Sequence, residues 1–187
     1  MSRYAAIIFI IGLSLLPAMS CKKDASEAPA AVAAAAANAD NPFFKPYGTP
    51  FNVPPFDLIK TEHYLPAIEE GIRREQAEVD AIVNDPKAPT FENTIAALDH
   101  AGIFLSEANG VLSALQSANT NKDLQALARQ TAPMLAAHED NIGLNEKLFQ
   151  RIKAVYDNRA TLKLDREEMF LLENTYRDFV RGGALLG

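Results

Sequence analysis

The chain has 187 residues, a formal charge of −6, 48% apolar residues and 22% charged ones. That is ordinary globular composition and enough chain for one domain with a real core. Basic neighbours never exceed pairs (Lys22-Lys23, Arg73-Arg74), so nucleic-acid binding by electrostatics is excluded and the acidic balance serves solubility.

Arg3 supplies a positive start, and Ala5 to Leu16 is an apolar run of twelve residues. A spanning helix needs about 20 residues, so this run fits a signal-peptide core over residues 1–20. Pro17 breaks it, and Ala18-Met19-Ser20 precedes Cys21. The arrangement resembles a bacterial lipoprotein signal, which implies lipidation of Cys21 as the first mature residue. Ala18 stands where such signals usually carry Leu, and Ala18-x-Ser20 also suits ordinary small-residue cleavage. Either processing exports the protein to the periplasm or cell envelope. Lys22 rather than Asp after the cysteine favours the outer membrane by analogy. Cys21 is the only cysteine, so it has no disulfide partner within the chain.

Residues 21–41 are Ala-rich and low in complexity, and they read as a tether between membrane and folded part. Residues 42–57 carry Pro42, Pro46, Pro50, Pro54 and Pro55, which rule out a regular helix. Phe43, Phe44, Tyr47, Phe51 and Phe56 share this segment, which is expected to lie extended and bury its rings over a helical surface.

From Thr61 the periodicity is helical. Leu65, Ile68, Ile72, Val79 and Ile82 share one face, Pro66 is placed in the first turn, and Asp85-Pro86 ends the helix. Thr90 is an N-cap for a second helix that Phe91, Ile95, Leu98, Leu105 and Leu112 carry to about Ser117. Gly102 and Gly110 weaken it, which marks close packing or a kink. A third helix runs from about Lys122 to Asp140, with Leu124, Leu127, Thr131, Leu135 and His138 on one stripe and a kink expected at Pro133. Asn145 caps a shorter helix, and Asp165-x-x-Glu168 is a capping box for the last one. No segment alternates with period two, so the fold class is all-α, with residues 42–187 as one multi-helix domain. The last helix runs into apolar residues without a polar stop, so the chain reads as truncated. Phe179, Leu185 and Leu186 are then expected to lack cover and to promote self-association.

Catalytic signals are weak. His138-Glu139-Asp140-Asn141-Ile142 begins like H-E-x-x-H, but Ile142 stands where the second His belongs, leaving a helix-end His among solvated acids. His63 and His100 fall on other helices, so no spacing supports a metal site with His138. Glu69-Glu70 and Glu167-Glu168 are adjacent on helices and point about 100° apart, which suits solvated faces better than shared acid/base work. Neither a G-x-S-x-G elbow nor a glycine-rich phosphate loop is present.

The stretch Asn41 to Gly71, NPFFKPYGTPFNVPPFDLIKTEHYLPAIEEG, resembles the start of the mature part of bacterial peptidyl-dipeptidases, within the thimet-oligopeptidase family of zinc metallopeptidases. The likeness continues through Asn84 to Ile95 with its T-F-E-N-T-I run, Ser117 to Asn121, Pro133 to Asp140, Asn145 to Phe149 and Tyr176 to Arg181. It covers nearly all of residues 42–187 in order. The resemblance implies an exported zinc enzyme that trims dipeptides from short peptides. In that family an H-E-x-x-H helix and a third ligand, usually Glu, hold zinc far downstream, so no zinc ligand and no catalytic residue carries over to this chain. What carries over is architectural, one wall of a channel that admits short unfolded peptides, and the 187 residues alone are predicted inactive. The alternative is a non-enzymatic helical lipoprotein that binds peptides or a partner protein.

Overall fold

A computed structural model describes residues 40–185. The expectations for the leader, Cys21, the Ala-rich tether up to residue 39 and Leu186 lie outside these residues, while Asn41, expected to end the tether, is buried in the folded part. Among the described residues every regular element is helical, which confirms the all-α class.

The 23-residue helix α1 (Thr61–Val83) is the spine, because its apolar positions recur at helical spacing along its whole length. Its opening turn is closed by His63, whose Nδ1 accepts from the Lys60 N–H at 3.0 Å. The Asn41 side-chain amide donates to the His63 carbonyl at 2.8 Å, fastening the preceding segment to this turn. Pro66, expected in the first turn, is instead the sixth helical residue. Its missing N–H removes a bond that an intact ladder would make to the Glu62 carbonyl.

Thr90 caps the next helix as expected, accepting from the Asn93 N–H at 3.1 Å while Asn93 Oδ1 accepts from the Thr90 N–H at 2.7 Å. A wide π-helical turn, Phe91–Ala96, continues directly into the short α2 (Ala97–His100). The single helix expected to reach Ser117 is broken at Ala101 and at Gly102, which is left-handed at φ 74°. α3 (Ile103–Ala118) starts on the other side.

α4 (Lys122–Gly143) runs as one element through Pro133 and ends three residues later than the periodicity placed it. α5 (Glu146–Asp157) starts at the Asn145 cap. α6 (Arg166–Arg181) opens with both halves of the Asp165/Glu168 capping box made, at 2.8 and 2.9 Å.

Two apolar clusters result, and α1 contributes to both. Its first half puts Tyr64, Ala67 and Ile68 against Leu105, Ala108 and Leu112 of α3 and Leu124 and Leu127 of α4. Its second half puts Val79 and Ile82 against Phe91, Ile95, Leu148 and Ile152 of α5, and Leu172 of α6. Phe179 was expected to lack cover but is half-buried in this second cluster, its ring 6.4 Å from Phe149. Tyr176 fills the space beside it, stacked 3.8 Å from Tyr156. Leu185 remains exposed.

The proline-rich segment divides in two. Phe43 is buried with its ring 5.2 Å from Tyr64, and Phe44 stacks 5.7 Å from Phe104. The Arg74 guanidinium lies 4.3 Å from the Phe104 ring, a cation–π contact that completes this seam. Beyond Tyr47 the expectation of burial fails. Phe51 is 100% exposed and left-handed at φ 57°, Asn52 follows at φ 54°, and Phe56 is 46% exposed. The Pro50 and Pro54-Pro55 backbone keeps this stretch out of regular helix apart from one short turn, Pro50–Asn52.

Candidate functional site

The most developed polar junction joins α1, α3 and α4. His138, 4% exposed, places Nε2 3.0 Å from Glu75 Oε2, across 63 residues of sequence. One turn further along α1, Glu78 Oε2 accepts the Gly102 N–H at 2.9 Å. A Cβ on Gly102 would fall 2.4 Å from the Glu75 carboxylate, so the break between α2 and α3 is fitted to these two acids. A cavity of about 280 Å³ opens here, lined also by Ser106, Asn109, Leu135 and Glu139. The sequence reading of His138 as a helix-end residue among solvated acids is therefore corrected. α4 continues past it, and the ring is buried against a carboxylate from another helix. The pair ties two helices together and offers no nucleophile.

The remaining candidates do not converge. His63 closes the start of α1, and exposed His100 sits with Nδ1 2.8 Å from the Ala96 carbonyl. Glu69 is exposed, while Glu70 accepts from Arg73 at 2.7 Å and from Arg74 at 2.8 Å. Hydrogen bonds from Arg73 and Arg74 hold the Glu70 carboxyl down at about 2. Glu167 is exposed and Glu168 is used by the capping box. Among the described residues no group of three His, Cys, Asp or Glu side chains is placed to hold a metal ion. A catalytic zinc requires three protein ligands around one point. The described residues do not fit that requirement.

Two surface features escaped the sequence reading. Phe170 is 65% exposed in an open hollow of about 670 Å³ with Arg166, Glu167, Met169 and Glu173, all from α6. A groove of about 380 Å³ runs between the proline-rich loop and α3, lined by Tyr47, Asn52, Pro54 and Phe56 on one side and Glu107 and Val111 on the other. Burial and the neighbouring Glu107 carboxylate push the Tyr47 phenol up. Periodicity assigns a face to each residue but not what covers it, so the exposure of Phe170 had no sequence signal.

This helical scaffold, in which His63 and Glu168 serve caps and His138 and Glu75 tie two helices, is similar in sequence to part of bacterial peptidases over most of its own length. A stretch of 146 residues is 42% identical to the dipeptidyl carboxypeptidase of Salmonella typhimurium and 40% identical to that of Escherichia coli. A further 138-residue match, at 28% identity, is to the oligopeptidase A of Salmonella typhimurium. The first match covers 78% of this chain but 22% of the relative, so the chain spans about a fifth of the length of the curated relatives it matches. No family model matches the chain.

Proposed function

We propose that residues 42–187 form the N-terminal helical part of an exported zinc peptidase that hydrolyses short peptides, and that they make one wall of its substrate channel. The observation that carries this reading is the 42% identity to a dipeptidyl carboxypeptidase over 146 residues. The geometry agrees with a scaffolding role, because His63 and Glu168 cap helices and His138 ties two of them together through Glu75. Zinc, its ligands and the general base belong in this reading to sequence outside the 187 residues.

The reading also includes export and anchoring. Arg3, the apolar run and Cys21 support a lipoprotein leader, with the anchor leaving the peptidase at the outer membrane. Cys21→Ala is expected to abolish palmitate labelling and release the protein from the membrane fraction. Labelling that survives the substitution refutes the anchor.

The deciding experiment is an immunoblot of the source cells with an antibody raised against residues 42–185. The reading expects a band several times heavier than the 20.4 kDa of this chain, co-purifying with chelator-sensitive dipeptide release. A band no heavier than 20.4 kDa with no such activity overturns it and favours a helical lipoprotein that binds peptides or a partner.

A further inference from the structure

Four of the eight large apolar side chains that stand exposed among the described residues fall within eight positions of one loop. These are Phe51 at 100%, Val53 at 48%, Phe56 at 46% and Leu58 at 59%. Phe51 is doubly unfavourable where it stands. Its ring touches water on all sides, and its backbone is in the left-handed region that side-chain-bearing residues rarely adopt. A loop that holds an aromatic ring outward at that cost needs a surface to receive it. The groove of about 380 Å³ beside it, walled by Phe56 and by Val111 of α3, supplies the other half of the seat.

We infer that this loop and its groove are the seat for the portion of the peptidase that lies outside the 187 residues, with Phe51 as the inserted anchor. The inference rests on the functional reading above and adds to it the surface by which the two portions meet. Three arguments select this occupant. The first is position in the match. Any 146-residue window of a 187-residue chain includes residues 42–146, so the loop lies within the stretch shared with proteins about five times longer than that stretch. The second is area. Even with Phe51 counted at roughly 200 Å², four side chains from one loop fall short of the about 800 Å² per partner that a stable dimer buries. A small patch suffices when the partner is covalently continuous, because effective concentration then replaces interface area. The third is charge. Asp57 sits inside the patch and Glu107 lines the groove, which opposes docking on an anionic lipid surface. The receiving surface is therefore apolar, with basic or donor groups opposite Asp57 and Glu107.

The test places a photo-crosslinking residue, p-benzoylphenylalanine, at Phe51 in cells carrying the complete gene, with the same residue at exposed Lys147 on α5 as the control. The expected product joins position 51 to a peptide from the catalytic portion, identified by mass spectrometry, with none from position 147. Crosslinks from 51 only to another copy of this chain, only to lipid, or to nothing overturn the inference. A second readout uses Phe51→Ser. It is expected to leave the melting temperature of the isolated 187-residue chain unchanged, since the ring is fully exposed there, and to lower that of the complete protein by several degrees. Equal melting in both settings overturns the inference as well. A heavy immunoblot band without a crosslink at 51 sinks this seat alone, whereas a band no heavier than 20.4 kDa sinks the functional reading itself.

Discussion

Gly71, Gly102 and Gly110 lack the same methyl group and meet three different surroundings. A Cβ on Gly71, inside α1, would fall 2.9 Å from the Leu105 Cα, so this glycine is what lets α1 and α3 approach. Gly71→Ala is expected to lower stability by about 1–3 kcal/mol through overpacking, more than the roughly 1 kcal/mol it gains in helix propensity. Gly102→Ala pays for a left-handed backbone and displaces the Glu75 carboxylate, for a loss of about 1–2 kcal/mol. Gly110 has open space around it inside α3, so Gly110→Ala should stabilise by roughly 0.5–1 kcal/mol. Urea denaturation of the three variants checks the order, and a destabilised Gly110→Ala would contradict it. Glu70 sets an acid limit. Its carboxyl titrates near about 2 when folded, against 4.5 ordinarily, so its contribution is complete above 4.5 and is lost as pH falls toward 2. Both arginine partners are largely exposed, so the contribution is about 0.5 kcal/mol after screening. Glu70→Gln should therefore flatten the acid limb of stability between pH 4.5 and 2, and an unchanged limb would show the pair contributes nothing.

Between elements, the loop from Asn84 to Thr90 is held by one side chain from α5. Arg151 Nη1 donates to the Asp85 carbonyl at 2.9 Å and to the Lys87 carbonyl at 3.3 Å, with Nη2 3.8 Å from the Asp85 carboxylate. Asn93 reaches the same loop from the π-helical turn, donating to Asp85 Oδ2 at 2.9 Å and to the Ala88 carbonyl at 3.0 Å. Arg151→Ala is expected to destabilise by about 1–2 kcal/mol, because it takes the donor from the part-buried Asp85 carbonyl and from the Lys87 carbonyl, while the Asp85 carboxylate keeps its bond from Asn93. Arg151→Lys should recover little, since an ammonium is a point donor and lacks the planar fork. Recovery by Lys, read from thermal melts, would refute the fork argument. Local signals of this kind were partly legible in sequence. The caps at Thr90, Asn145 and Asp165 were read correctly because a cap is a contact between residues three apart. Arg151 gave no such signal, since its partners are 64 and 66 residues away. Gly102 was legible as a weak point in one long helix, but the break it makes depends on Glu75 and Glu78 from α1.

Across the molecule, what sequence could and could not show follows the same division. The apolar face of α1 was visible, but its splitting between two clusters was not, because the division is made by which helices fold back onto each half. His138 was likewise placed on the right stripe of α4, while its partner Glu75 lay on another helix and out of reach of any spacing argument. This division has a thermodynamic consequence. Apart from Ile142 at the end of α4, which packs on the edge of the second cluster, the clusters draw on separate helices, α3 and α4 for one and α5 and α6 for the other, so α1 is the main element that couples them. A continuous helix cannot lose its first half while its second half stays packed without fraying at the middle, near Glu75, where His138 and Gly102 are also held. The two clusters are therefore expected to unfold together, with helical and aromatic circular dichroism signals coincident. Ile68→Ala in one cluster and Val79→Ala in the other, both at fully buried positions, should each move that single transition downward by about 2–4 kcal/mol, with Val79 the smaller. If Ile68→Ala instead produces two steps, with the α5 and α6 signal holding to the original midpoint, then α1 is a hinge between two domains rather than a shared spine.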